Sequence, residues 1–380
     1  MHVQLSEEQL LLQETVRRFA AEVVAPRARE IDETGEFPRE FFDQAGELGL
    51  AGVAIPQEYG GSGMDAISYC IVVEEISRVC ASSGVILSVN NSLVCDPLLR
   101  FGSEEQKQRF LRPLAAGEKL GCFALTEPDA GSDAAALRAT ARRDGDDYVL
   151  NGSKVFITNG SHAELALVFA SVDLEAKHKG ITAFIVATDS PGFETGPHEY
   201  KLGVNASGTT ELVFDELRVP VGQRIGEEGD GFKIAMATLD GGRVGISAQA
   251  VGIAQGAFEE ALKYSRERRQ FGRPICDFQA IQFYLADMST EIDAGRLLTW
   301  KAAWTKETGK RYSLEAAQAK LFTAGMAQRV TNKALQIHGG YGYTREYNVE
   351  RYFRDARITE IYEGTSEIQK LVIARAILDQ

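Results

Sequence analysis

An α+β chain in three consecutive parts, helices then a sheet then helices, is what this sequence predicts, and three observations predict it. Apolar residues recur at helical spacing from Ser6 to about Gly121. Short alternating runs rich in β-branched and aromatic residues take over after Cys122. Long helical patterns return after Gly229-Asp230-Gly231. The domains expected are residues 1–121 (helical), 122–225 (β) and 226–380 (helical).

In the first part, Ser6 with Gln9 three residues on makes a capping-box pattern, and Leu12, Val16, Phe19 and Val23 share one face of the helix it starts. Pro26 has no amide N–H, so it kinks or ends that helix. The apolar stretch from Ile71 to Leu99, broken by small residues, suits a buried helical hairpin. In the middle part, Tyr148-Val149-Leu150 and Val155-Phe156-Ile157 flank Asn151-Gly152, a strong hairpin-turn signal. Leu165 to Phe169, Ile181 to Val186 and Leu212 to Phe214 supply further strands. In the last part, Phe232 to Arg266, Phe278 to Gly309, Ser313 to His338 and the residues from Ser366 onward read as helices. There is no alternating βαβ pattern and no strand followed by GxGxxG, which argues against a Rossmann nucleotide site.

Composition narrows the function classes. A chain of 380 residues, 44 % hydrophobic and 25 % charged, can bury a substantial core. Its net charge of −13 argues against nucleic-acid or anionic-membrane partners, so any anionic ligand is gripped locally, as by Arg266-Glu267-Arg268-Arg269. The five cysteines form no CxxC pair and no cluster with the five histidines, so reduced thiols and no metal are expected. No apolar run reaches the length of a membrane span. Met1-His2-Val3-Gln4-Leu5 leads straight into a charged amphipathic pattern without a signal or transit composition, and a cytoplasmic chain is expected.

Three segments carry candidate chemistry. In Ile361-Tyr362-Glu363-Gly364-Thr365-Ser366-Glu367-Ile368-Gln369, one carboxylate stands between an aromatic ring and a glycine. Tyr362 can wall Glu363 from water and raise its pKa, and Gly364 leaves room for a substrate near the backbone. A solvated helix end is the competing account. In Phe123-Ala124-Leu125-Thr126-Glu127-Pro128-Asp129-Ala130-Gly131-Ser132-Asp133, a strand runs into a turn whose N–H groups and Thr126 and Ser132 hydroxyls can bind a polar ring or a pyrophosphate, or simply shape a turn. Arg268-Arg269-Gln270-Phe271-Gly272 offers a guanidinium for phosphate, or a solvated basic helix end.

Together these segments resemble the acyl-CoA dehydrogenase family. Ala124-Leu125-Thr126-Glu127 followed by Gly131-Ser132-Asp133 is similar to its flavin-binding signature. The likeness continues, in family order, through Phe156-Ile157-Thr158-Asn159-Gly160, Arg268 to Gly272, Gln336-Ile337-His338-Gly339-Gly340-Tyr341-Gly342 and the Glu363 segment. The resemblance implies an N-terminal α-helical domain, a β-barrel-like middle domain and a C-terminal four-helix bundle, assembled as a homotetramer around FAD. It implies that Phe123, Leu125, Thr126, Ser132, Phe156 and Thr158 meet the flavin. Arg268, Gln270, Phe271 and Gln279 are then offered to the pyrophosphate and adenosine of a neighbouring subunit's FAD, with Gln336, Ile337, Gly339 and Gly340 in a close turn against the same cofactor. Thr365 and Glu367 close over it. His338 is read as packed or hydrogen-bonded rather than catalytic.

The resemblance also implies a reaction. Ser132, Asp240, Arg243 and Gly364 match positions near an acyl-CoA, although Asp240 and Arg243, three apart, suit mutual pairing as well. Glu363 takes the α-proton while the β-hydrogen leaves as hydride to flavin N5, giving a trans-2-enoyl-CoA. The thioester carbonyl is held by the Glu363 backbone N–H and a ribityl hydroxyl, worth roughly 3 kcal/mol per donor. In some relatives the base instead stands immediately before the residue matched by Arg243; here that residue is Gly242. Leu239 to Ile246 and Thr365 to Gln369 are most similar to the short-chain, butyryl-CoA type. Medium-chain or branched substrates and an acyl-CoA oxidase remain alternatives, as does a non-catalytic oligomeric scaffold. An electron-transferring flavoprotein is the implied acceptor.

Overall fold

The computed structural model describes residues 4–378; the reading of Met1-His2-Val3 as a leaderless start lies outside them. Helix Glu7–Phe19 starts as its sequence dictates: the Gln9 N–H donates to Ser6 Oγ at 3.2 Å, and the Ser6 N–H to Gln9 Oε1 at 3.0 Å. Pro26 kinks it rather than ending it. The chain passes through a π turn, Ala20–Val24, and a tight turn, Ala25–Arg27, into helix Ala28–Thr34. Helices Ala66–Ser77 and Ala81–Ser88, with the wide turn Val89–Cys95, form the buried hairpin. Buried Glu74 and Glu75 are tolerated there because Arg296 (2.9 Å) and Arg17 (2.6 Å) meet them.

The middle part is one eight-stranded sheet of β1 (Gly121–Ala124), β2 (Thr140–Asp144), β3 (Asp147–Ile157), β4 (Leu165–Ser171), β5 (Ile181–Ala187), β6 (Phe193–His198), β7 (Thr210–Pro220) and β8 (Arg224–Ile225). Its order is β6-β7-β3-β2-β4-β5-β8, with β1 lying parallel beside β4. The path does not join β6 to β8, so the sheet is open at its ends.

One turn assignment fails. Asn151-Gly152 lies inside the single eleven-residue strand β3, at a register shift against β7. The Asn151 side chain exchanges two hydrogen bonds with Glu216 (2.8 and 2.9 Å), and Gly152 runs so near Ala139 that a Cβ would sit 2.8 Å from its Cα. The hairpin turn is Asp144 to Asp147, with Gly145 at φ 63°.

Helices Gly231–Glu267, Gln279–Glu307, Ser313–His338 and Ser366–Leu378 make up the final part. A further helix, Val349–Ile358, was not apparent from periodicity. Two buried asparagines lock the parts together. Asn90 accepts from the Gly121 N–H (2.9 Å) and donates to Ala51 and Leu114; Asn159 donates to Ile86 (3.2 Å) and Gly121 (3.1 Å). At the junction, Val85, Val89 and Leu93 pack on Ile246, with Phe123 of β1 and Tyr362 closing over them.

Candidate active site

Glu363 sits in the turn between helices Val349–Ile358 and Ser366–Leu378, with its backbone left-handed at φ 55° and Gly364 following at φ 92°. For glutamate that conformation is uncommon and strained by roughly 1–2 kcal/mol, so tertiary contacts must hold it. They do. Gln369 Nε2 donates to the carbonyls of Glu363 (3.2 Å) and Gly364 (2.8 Å), and Lys320 Nζ donates to the Gly364 carbonyl at 2.7 Å. Gly364 is glycine for its own φ and because a Cβ would meet Gln369 Nε2 at 2.7 Å.

The carboxylate lies against Gly242 and near Leu93 of the Val85–Ile246 junction. Its Oε2 is buried without a hydrogen-bond partner. Burial pushes the Glu363 pKa up to about 7, against the opposing charges of Lys320 and Arg243. Tyr362 donates its hydroxyl to Gln249, which in turn donates to the Ala81 carbonyl at 2.9 Å, so the aromatic wall is anchored to the helical hairpin. Gly242 lies directly against the carboxylate: a Cβ there would stand 1.6 Å from Glu363 Oε2. The two positions compete for one volume, so any side chain at 242 would displace the Glu363 carboxylate from where it now lies.

Arg243 pairs with Asp240 at 2.6 Å, and Asp240 accepts from Ser313 Oγ at 2.5 Å, so the pairing reading holds. The pair still borders the site, since Arg243 bears on Glu363. Ser132 is exposed on the loop after β1.

Around β1 and β3, Phe123 and Thr126 are half-buried, and Phe156 is 66 % exposed at φ 59°. Beneath them runs a buried ion pair: Lys154 Nζ donates to Glu127 at 2.7 Å and to the Leu125 carbonyl at 3.0 Å, and Glu127 accepts from the N–H groups of Arg138 and Ala139. Leu125 itself is buried and packs into the core beneath the sheet.

A second recess, of about 480 Å³, joins Arg268, Gln270, Ile337, Gly339 and Gly340. Gly339 has φ 60°; Gly340 has no such requirement, yet a Cβ would meet nothing within 4 Å. Arg268 lies over the Tyr341 ring (5.4 Å), and His338 is buried, hydrogen-bonded to the Ala334 carbonyl and stacked on Tyr264, as a packed histidine should be. Phe271, 93 % exposed at φ 52°, caps the hairpin Arg269–Pro274 and touches Phe278 instead of the recess, and Gln279 and Gln336 are exposed beside it. An exposed aromatic wall, a guanidinium and open glycines fit a flavin dinucleotide. Thr365, half-buried, and Glu367, exposed, open helix Ser366–Leu378.

The sequence reading missed Lys320, Gln369, Gln249 and Lys154. Lysines on otherwise small or apolar faces, as at Ala316, Ala319, Lys320, Thr323 and Ala324, were the available signal.

Among the described residues no helix is long and apolar enough to cross a membrane, and no group of acidic, histidine or cysteine side chains could hold a metal. Comparison with known proteins finds three domain models in the same order along the chain. The acyl-CoA dehydrogenase N-terminal, middle and C-terminal domain models match residues 6–118, 122–217 and 229–378. "Acyl-CoA dehydrogenase, short-chain specific" from Clostridium acetobutylicum is 53 % identical over 99 % of this chain and 100 % of its own. Butyryl-CoA dehydrogenase from Megasphaera elsdenii has TM-score 0.98 at 46 % identity, covering both chains fully. A chain from a study of the electron transferring flavoprotein of Acidaminococcus fermentans has TM-score 0.99 at 49 % identity, again covering both fully. With three domain models spanning residues 6–378 in order and relatives matching the chain over its whole length, the chain belongs to the acyl-CoA dehydrogenase family.

Proposed function

We propose that this oxidoreductase dehydrogenates a short-chain acyl-CoA to its trans-2-enoyl-CoA, with Glu363 as the base that removes the α-proton. The observation carrying the reading is the Glu363 carboxylate, desolvated and with Oε2 unpartnered at an apolar junction. The α-proton of a thioester is weakly acidic, and a base with a pKa near 7 matches the pH of operation. Val85, Val89, Leu93 and Ile246, packed together by the carboxylate, would meet the acyl chain, and the short-chain choice is supported by the C. acetobutylicum and M. elsdenii relatives.

FAD is the cofactor, and when bound it supplies the acceptor for the β-hydride. Phe123, Thr126, Ser132, Phe156 and Thr158 would border its ring, with the Leu125 main chain. Arg268, Gln270, Phe271, Gln279, Gln336, Ile337, Gly339 and Gly340 would serve its pyrophosphate and adenosine in a neighbouring subunit, with Thr365 and Glu367 closing over it. Asp240, Arg243, Ser132 and Gly364 would border the acyl-CoA. That sharing requires at least a second subunit, the homotetramer being what the family resemblance implies, and the exposed Phe283, Tyr284, Leu297 and Trp304 on helix Gln279–Glu307 supply apolar surface for assembly. The boundaries 1–121, 122–225 and 226–380 are part of the reading, as is a cytoplasmic setting, which suits five unpaired cysteines. An electron-transferring flavoprotein as acceptor is supported by the A. fermentans likeness.

Anaerobic stopped-flow mixing of the yellow holoprotein with butyryl-, octanoyl- and isobutyryl-CoA tests the proposal. Rapid bleaching by butyryl-CoA, lost in Glu363→Gln, is expected. Preference for octanoyl- or isobutyryl-CoA overturns the chain length. Undiminished bleaching in Glu363→Gln overturns the base, and rapid turnover with oxygen makes the protein an oxidase.

A further inference from the structure

We propose that Lys320 is a positioning residue for the base: from the core of the helical bundle its ammonium clamps the Gly364 carbonyl and sets a buried positive charge beside the Glu363 carboxylate. The inference rests on the reading of Glu363 as the base.

The geometry is unusual for a lysine. The side chain of Lys320 is fully buried, and its Nζ makes one hydrogen bond, to Gly364 at 2.7 Å. Among the described residues no carboxylate forms an ion pair with it. A buried ammonium without a contact ion pair is costly, and a methionine would fill the same volume at no such cost. Tethering the turn does not require it either, because Gln369 already donates to both carbonyls of the 363–364 pair. What the lysine adds beyond a neutral donor is charge.

That charge is held on the Gly364 carbonyl, one residue from Glu363, and favours the ionised Glu363 carboxylate. The remaining charged and titratable neighbours are Arg243, neutralised by Asp240 on its own helix, Glu360 and Glu367 on either side of the turn, and Tyr69 and Tyr362 against the carboxylate. Burial pushes the ammonium down to about 8 and the carboxyl up to about 7, and each charge opposes the other's shift. An acyl chain entering the junction removes still more water from Glu363. The fixed ammonium then keeps the carboxylate ionised, and so able to take the α-proton, at neutral pH. The proton abstracted stays on Glu363; Lys320 exchanges none.

The test is an infrared pH titration of the carboxylic C=O band of Glu363, assigned by its loss in Glu363→Gln, in wild-type holoprotein and in Lys320→Gln, Lys320→Met and Lys320→Arg. The pH profile of flavin reduction is measured in parallel. Both neutral variants are expected to raise the midpoint by about one pH unit or more, with Lys320→Arg returning it toward wild type. An unshifted midpoint in FAD-loaded Lys320→Gln overturns the proposal, as does failure of both neutral variants to fold, which would assign Lys320 to stability alone. If Glu363→Gln still reduces flavin, the base reading falls on its own, while the infrared shift continues to decide the role of Lys320.

Discussion

Replacing Gly242 by alanine should silence the enzyme while leaving it folded. The added Cβ would stand 1.6 Å from Glu363 Oε2 and 2.8 Å from Leu93 Cδ2, where ordinary contact begins at 3.4 Å. A direct retreat of the oxygen is therefore roughly 1.8 Å, the difference between the two distances. The turn cannot follow freely, because Lys320 and Gln369 hold its carbonyls. A misplacement of about 1 Å at a reacting group costs about 100-fold in rate, so flavin reduction by butyryl-CoA should slow by at least that factor. Stability should change far less: alanine gains up to about 1 kcal/mol of helix propensity against an overpacking cost of about 1–3 kcal/mol. Gly241→Ala is the internal control, since its Cβ would meet nothing nearer than 3.7 Å. Anaerobic stopped-flow and thermal melts of both variants are the assay. A Gly242→Ala enzyme reducing flavin within threefold of wild type would refute the reasoning, as would equal losses in both variants.

Other outcomes follow from the same site. The kcat/KM for butyryl-CoA should rise with pH through about 7 and level off, because only the carboxylate can accept the proton; a profile flat from pH 5 to 9 would contradict the desolvated base. The same raised pKa gives stability that is present below the unfolded carboxyl value and lost as pH rises toward about 7, so Glu363→Gln should flatten the pH dependence of the melting temperature across that window. Arg268→Ala should weaken FAD retention by about 10- to 100-fold, read by flavin release on dilution, with less effect on flavin reduction once reconstituted; unchanged affinity would remove the cross-subunit phosphate role. Lys154→Met, which strands buried Glu127, should cost about 3–5 kcal/mol in denaturant unfolding, and a loss below 1 kcal/mol would show the pair to be dispensable.

The features legible in sequence are those whose physics is local. Ser6 and Gln9 cap a helix with each other's atoms, and the long helices announce themselves by spacing. The family motifs located Glu363, the Arg268 hairpin and the glycine turn because each is a contiguous run. Errors came where distant chain decides. Asn151-Gly152 carries a turn signal, but Glu216 and Ala139, remote in sequence, draw it into a bulged strand. Helix Val349–Ile358 hid because charges are interleaved with Val349, Tyr352 and Ala356 on its buried face: Asp355 accepts from the Val204 N–H at 2.6 Å, Arg351 donates to the Val79 carbonyl at 2.8 Å, and Arg354, partly buried, meets Asp32 at 2.6 Å.

The sequence by itself determined the three-part order and the family and singled out Glu363 as the candidate carboxylate, since these depend on residue type and spacing along the chain. Only the tertiary structure decided what that carboxylate can do. Its raised pKa, its left-handed backbone, the ammonium beside it and the glycine that makes room for it come from four segments far apart in the chain, and electrostatic and steric effects act through space.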